Sequence, residues 1–187
     1  MALHSEVKQT ISLKQERYYE PVLDMIPGEQ CQVDGGELRG VMIGGVETTV
    51  YLMVFVLSYS RLMHVSVSVK PIDTETLIRQ HDAAFRYFGG MPRECVYDQT
   101  RLVVMGKVFR ELTLNQRFRQ YATAAGFRIS ACEGYDPESK GKVEAGVKYV
   151  KHNGLYGESF ANWHELERYM ADWLDNIANQ RLHGSTR

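Results

Sequence analysis

With 187 residues, 44% of them hydrophobic and 24% charged, the chain has the size and balance of one globular domain with its own core. Its longest apolar run, Val50 to Leu57, is strand-sized and well short of the roughly eighteen residues a membrane-spanning helix needs, so no membrane contact is expected. A formal net charge of −1 excludes a uniformly basic nucleic-acid binder. The three cysteines, Cys31, Cys95 and Cys132, are odd in number and far apart in sequence, and the N-terminus lacks the layout of a secretory signal. A reducing, cytoplasmic setting is therefore expected.

In chain order, residues 1–26 have weak periodicity and read as an arm or linker, punctuated by Pro27-Gly28. Gln30, Gln32 and Asp34 then alternate with Cys31 and Val33, which predicts a short strand ending in Gly35-Gly36. Thr48 to Leu57 is β-branched and nearly continuously apolar, as in a central strand covered on both faces. Leu62 to Val69 alternates valine with serine and makes an antiparallel hairpin with it. Asp73 is a helix N-cap, followed by Leu77, Ile78, His81, Ala84, Phe85 and Phe88 on one face and stopped by Gly89-Gly90 and Pro92. Arg93 to Tyr97 is a fourth strand that delivers Asp98 at its end. A helix carrying Leu114, Phe118, Tyr121 and Ala125 closes at Gly126, and Phe127, Ile129 and Ala131 mark a fifth strand. A helix spans about Pro137 to His152, and a last one starts from Asn162 with Trp163, Leu166, Met170, Trp173, Leu174 and Ile177 at helical spacing. The order β-β-β-α-β-α-β-α-α predicts an α/β fold of ribonuclease-H-like type, a mixed five-stranded sheet flanked by helices.

The near-neutral total hides local basic stretches, which phosphate contact requires. Residues 101–119 carry Arg101, Lys107, Arg110, Arg117 and Arg119 against the single acid Glu111. Residues 140–151 carry Lys140, Lys142, Lys148 and Lys151 against Glu144.

Two-cation phosphodiester chemistry needs hard oxygen ligands from different elements that converge, holding ions roughly 3.5–4 Å apart. Asp34 on the first strand, Asp98 at the end of the fourth and Glu144 on a helix form such a set. Each has a plain alternative. Asp34 precedes a glycine pair and reads as a turn former, Asp98 as a cap or turn residue, and Glu144 as an i,i+4 partner of Lys140 and Lys148.

The segments GEQCQVDGG, PRECVYDQTRLVV and PESKGKVEAGVKYVKHN, with the tail NQRLHGSTR, resemble the acidic motifs of the retroviral-integrase-like D,D,E transposases, and among these the IstA-type transposases of bacterial insertion sequences. The resemblance covers about residues 27–187. It implies a catalytic core over 27–155 and a C-terminal helical extension over 156–187. It also implies Asp34, Asp98 and Glu144 as catalytic carboxylates for two Mg²⁺ or Mn²⁺ ions; Glu133, Asp136 and Glu138 lie nearby in the sequence, and Glu144 is preferred because SKGKVE aligns with the family motif. Gly35 stands where the family often has Trp, and Gln99 and Arg101 where Asn and Lys are usual.

The implied activity is metal-dependent cutting at transposon ends and transfer of the 3′-hydroxyl to target DNA. Implied partners are DNA, a helper ATPase and further copies of the chain on DNA, in a bacterial cytoplasm and on the nucleoid when bound. Further domains, an N-terminal helix-turn-helix region and a small C-terminal β domain, are expected in the longer proteins. Lys140, Lys148 and Lys151 fall with Glu144 on one helical stripe and are the expected DNA contacts, with Lys142, Gln99 and Arg101. Val143, Val147 and Val150 form the adjoining apolar stripe. The plain reading of the lysines is a solvated face. His64 and His81 are expected to be structural, and the Trp163–Ile177 stripe to be core or interface. Two rival functions remain at this point: a catalytically idle DNA-binding or assembly module, and a ribonuclease-H-like nuclease without strand transfer.

Overall fold

The computed structural model describes residues 26–97, 116–131 and 146–181. Strand β1 (Gln30–Ile43) pairs antiparallel with β2 (Val46–Leu57), which pairs antiparallel with β3 (Met63–Ser68). On its other side β1 pairs in parallel with β4 (Glu94–Tyr97), and β4 with β5 (Arg128–Ala131). The main path is thus β3-β2-β1-β4-β5, and a short strand β6 (Ser159–Phe160) joins the far end of β1 in parallel. Parallel neighbours need crossover connections, and the longest strand, β1, is placed between a hairpin and a crossover unit.

Two expectations change. β1 does not end at Gly35-Gly36 but continues to Ile43, and the chain reverses at Gly44-Gly45, both with positive φ (60° and 78°). Two left-handed residues between the paired Ile43 and Val46 are the requirement of a tight hairpin turn, which two glycines meet without steric strain. β6 was absent from the five-strand expectation, because a two-residue strand has no periodicity to read.

Alternation along the strands sorts side chains onto two faces. Helices α1 (Thr74–Phe88) and α2 (Gln116–Ala125) cover one, packing Leu77, Ala84, Phe118 and Ala122 on Cys31, Val33, Met53, Phe55, Cys95 and Tyr97. The register brings Cys31 opposite Cys95, and both are buried free thiols. Helix α3 (Trp163–Asn176) covers the other face with Leu166, Met170, Trp173 and Leu174. Between β5 and α3, residues 146–149 are α-helical and Val150–Leu155 is wound as a π-helix, adding Val147, Val150 and Leu155 to that second core. The expected cap at Asp73 forms, its carboxylate accepting the Thr76 N–H at 2.7 Å, and Asn162 caps α3 in the same way, accepting the Glu165 N–H at 2.9 Å. No helix among the described residues is long and apolar enough to cross a membrane.

Candidate active site on strand β1

Asp34 lies one residue beyond the β1–β4 ladder, with Val54 of β2 as its cross-strand partner. Its neighbours Cys31 and Val33 point into the α1–α2 core, so Gln32, Asp34 and Gly36 share the opposite face. Asp34 is 3% exposed, and its Oδ1 accepts the Gly35 N–H at 2.8 Å. Removing a carboxylate from water is costly unless partners compensate, so a turn former would sit at the surface. The structure places Asp34 mid-strand and buried, which removes the turn reading.

The end of β4 comes alongside. Val33 and Tyr97 are Cα partners in the parallel ladder, and Asp34 and Asp98 each follow by one peptide bond. Asp98 itself, Gln99, Arg101, Lys140, Lys142 and Glu144 lie outside the described residues. Among the described residues no three of His, Cys, Asp and Glu stand close enough to hold a metal ion; of the expected ligands, only Asp34 is described.

Gly36 marks the approach of the helical segment. A Cβ there would meet Val147 Cγ1 at 2.8 Å and Lys151 Cε and Nζ at 3.1 Å. Lys151 therefore brings its ammonium end down to β1, two residues from Asp34 and on the same face, whereas Lys148 is exposed. The single stripe expected for these two lysines divides. The helical segment changes from α to π at Val150, between the two lysines. Val147 and Val150 pack on the sheet as expected.

His81 is fully buried in the α1–α2 core, on the far side of the sheet from Asp34. His64 is half-buried on edge strand β3, its Nε2 3.2 Å from Ser66 Oγ. Burial lowers both pKa values to about 4. Gln32 was not singled out from the sequence. The available signal was the Q-x-Q-x-D alternation, three polar side chains on one face of a strand otherwise built to be buried.

The integrase core domain family matches residues 24–137. A transposase for an IS21-like insertion sequence element from Bacteroides fragilis is 37% identical over 91% of this chain. A putative transposase for element IS5376 from Geobacillus stearothermophilus is 33% identical, also over 91% of it. The chain spans 33% and 42% of the length of these two relatives. In fold it resembles the HTLV-2 integrase catalytic core domain solved in complex with magnesium (TM-score 0.52, 18% identity, 87% of this chain and 94% of that one). The BIV integrase catalytic core is likewise similar in fold (TM-score 0.52, 12% identity, 83% and 87%). With a family match over more than half its length and an open mixed sheet flanked by helices, the chain belongs to the integrase core domain family.

Proposed function

We propose that this chain is the catalytic core of a DNA transposase, which cuts phosphodiester bonds at transposon ends and joins the freed 3′-hydroxyl to target DNA. The observation that carries the reading is the parallel register of β1 and β4. Val33 opposite Tyr97 sets side by side the residues that immediately precede Asp34 and Asp98 in the sequence, which supports a cation site shared by the two acids. Two divalent cations, Mg²⁺ or Mn²⁺, would supply charge stabilisation at the attacking and leaving oxygens. The residues fit such a group, since a hard-oxygen carboxylate is buried at Asp34 beside a second buried polar side chain, Gln32.

Asp34, Asp98 and Glu144 are assigned as the ligands. Lys151, held against Gly36, would set a positive charge over a phosphate lying across the Asp34 face. Exposed Lys148, with Lys140, Lys142, Gln99 and Arg101, would grip the DNA backbone further out. No protein nucleophile is assigned, because water and then the DNA 3′-hydroxyl attack in line. Assembly of several copies on DNA, a helper ATPase and a place on the bacterial nucleoid belong to the same proposal.

The test is a duplex carrying the element's end, incubated with the protein and Mn²⁺. Nicked and strand-transferred products are expected, and both should vanish in Asp34→Asn, Asp98→Asn and Glu144→Gln. Metal-dependent products retained by these variants would overturn the assignment. Nicking without transfer from a pre-cleaved end would reduce the function to that of a nuclease.

A further inference from the structure

We propose that Gln32 is a positioning residue for the cation site at Asp34, an inference that rests on the two-cation reading above. Gln32 is 1% exposed in the interior of the sheet, with Val56 of β2 and Val96 of β4 as its cross-strand partners. Neither its amide nitrogen nor its amide oxygen has a hydrogen-bond partner among the described residues. Leaving one buried polar group unpaired costs roughly 1–3 kcal/mol, and this side chain has two such atoms. An apolar residue of the same length would fill the place without that loss, so packing does not account for an amide here.

Its position does. Alternation puts Gln32 on the face of Asp34, about 6.7 Å along the same strand. Gly146 lies over this region, its Cβ position 3.5 Å from Val54 Cγ1 and 3.6 Å from Val56 Cγ2, the cross-strand partners of Asp34 and Gln32. The amide is thus buried on the face that Gly146 packs over, the same face as the Asp34 carboxylate. It carries both a donor and an acceptor. With a cation held at Asp34, Nε2 could donate to a ligand carboxylate oxygen and Oε1 could accept from a cation-bound water. Mg²⁺ and Mn²⁺ keep such waters, and groups behind the direct ligands fix their orientation.

The test pairs metal-free stability with Mn²⁺ affinity for the wild type, Asp34→Asn, Gln32→Met and Gln32→Leu, by thermal melts and calorimetric titration. Wild type should bind Mn²⁺ in a manner lost in Asp34→Asn. Gln32→Met and Gln32→Leu should melt no lower than wild type without metal, yet bind Mn²⁺ about 10–100-fold more weakly. Wild-type affinity in both Gln32 variants, with Asp34-dependent binding intact, would overturn the role of Gln32 alone. No Asp34-dependent binding in the wild type would overturn the two-cation reading and this inference with it. A marked drop in the metal-free melting temperature of both variants would make Gln32 a fold-stabilising residue and overturn its positioning role.

Discussion

The Leu77 carbonyl can only accept, so the His81 Nδ1 atom 2.8 Å away carries the imidazole proton. In the neutral ring Nε2 is then an acceptor, and the Tyr97 hydroxyl donates to it at 2.7 Å. Burial holds the pKa of His81 near 4, below the ordinary 6.5, with its bond to Leu77 and the charge of Asp82 opposing only in part. The unfolded chain therefore binds a proton between those two values that the folded chain refuses. Stability from this group is full above pH 6.5 and is lost as pH falls towards 4, by up to about 1.4 kcal/mol per pH unit. His64, also lowered to about 4 by burial, acts with the same sign. Urea unfolding at pH 7 and pH 5 should show a lower midpoint at pH 5. In His81→Gln, which keeps a polar group towards Tyr97 and does not titrate, the difference between the two pH values should shrink. An undiminished difference would show that His81 is not buried neutral. Because Tyr97 closes β4, this bond also steadies the strand end that leads into Asp98.

Among the elements, β1 bears the most and was read least completely. Its first half was legible, since apolar and polar residues alternate from Gln30 to Asp34. Gly35-Gly36 then looked like a stop. Gly36 is instead a place of close approach, where the helical segment comes down onto the strand. Gly36→Ala would force its methyl against Val147, which is itself buried and β-branched and cannot swing away. A loss of roughly 1–3 kcal/mol in urea unfolding is expected. Gly90→Ala, with nothing within 4 Å of its Cβ position, should leave the midpoint nearly unchanged. Equal midpoints for the two variants would contradict the packing described. The π-helical turn at Val150–Leu155 was beyond sequence reading for a different reason. Its residues fit an α-helical pattern equally well, and it contains Gly154, where an added Cβ would meet the Trp173 ring at 3.3 Å. Helix α1 was the opposite case, because Asp73 and Gly89 mark both ends with residues chosen for capping chemistry.

At the scale of the whole molecule, the fold joins residues that the sequence keeps far apart. The order of elements was enough to expect an open mixed sheet, and the family match agrees with it. The proposed site was legible as three motif phrases, but none of its acids could be distinguished alone from a turn former, a cap or a surface ion-pair partner. What separates Asp34 from those alternatives is tertiary. It is buried mid-strand with Val54 of β2 as its cross-strand partner, and the β1–β4 ladder sets Tyr97, the residue before Asp98, beside Val33. Gln32 escaped notice because its unpaired state is a property of what surrounds it, and no spacing rule encodes that.

Under the proposed function, Asp34 and Asp98 hold divalent cations between them, with Glu144 completing the set. Crystals of the protein grown with Mn²⁺, with anomalous difference maps recorded at the manganese edge, test it most directly. Anomalous peaks are expected in contact with the carboxylate oxygens of both Asp34 and Asp98, and should be lost in Asp34→Asn. Manganese bound only elsewhere, or peaks that persist unchanged in Asp34→Asn, would contradict it.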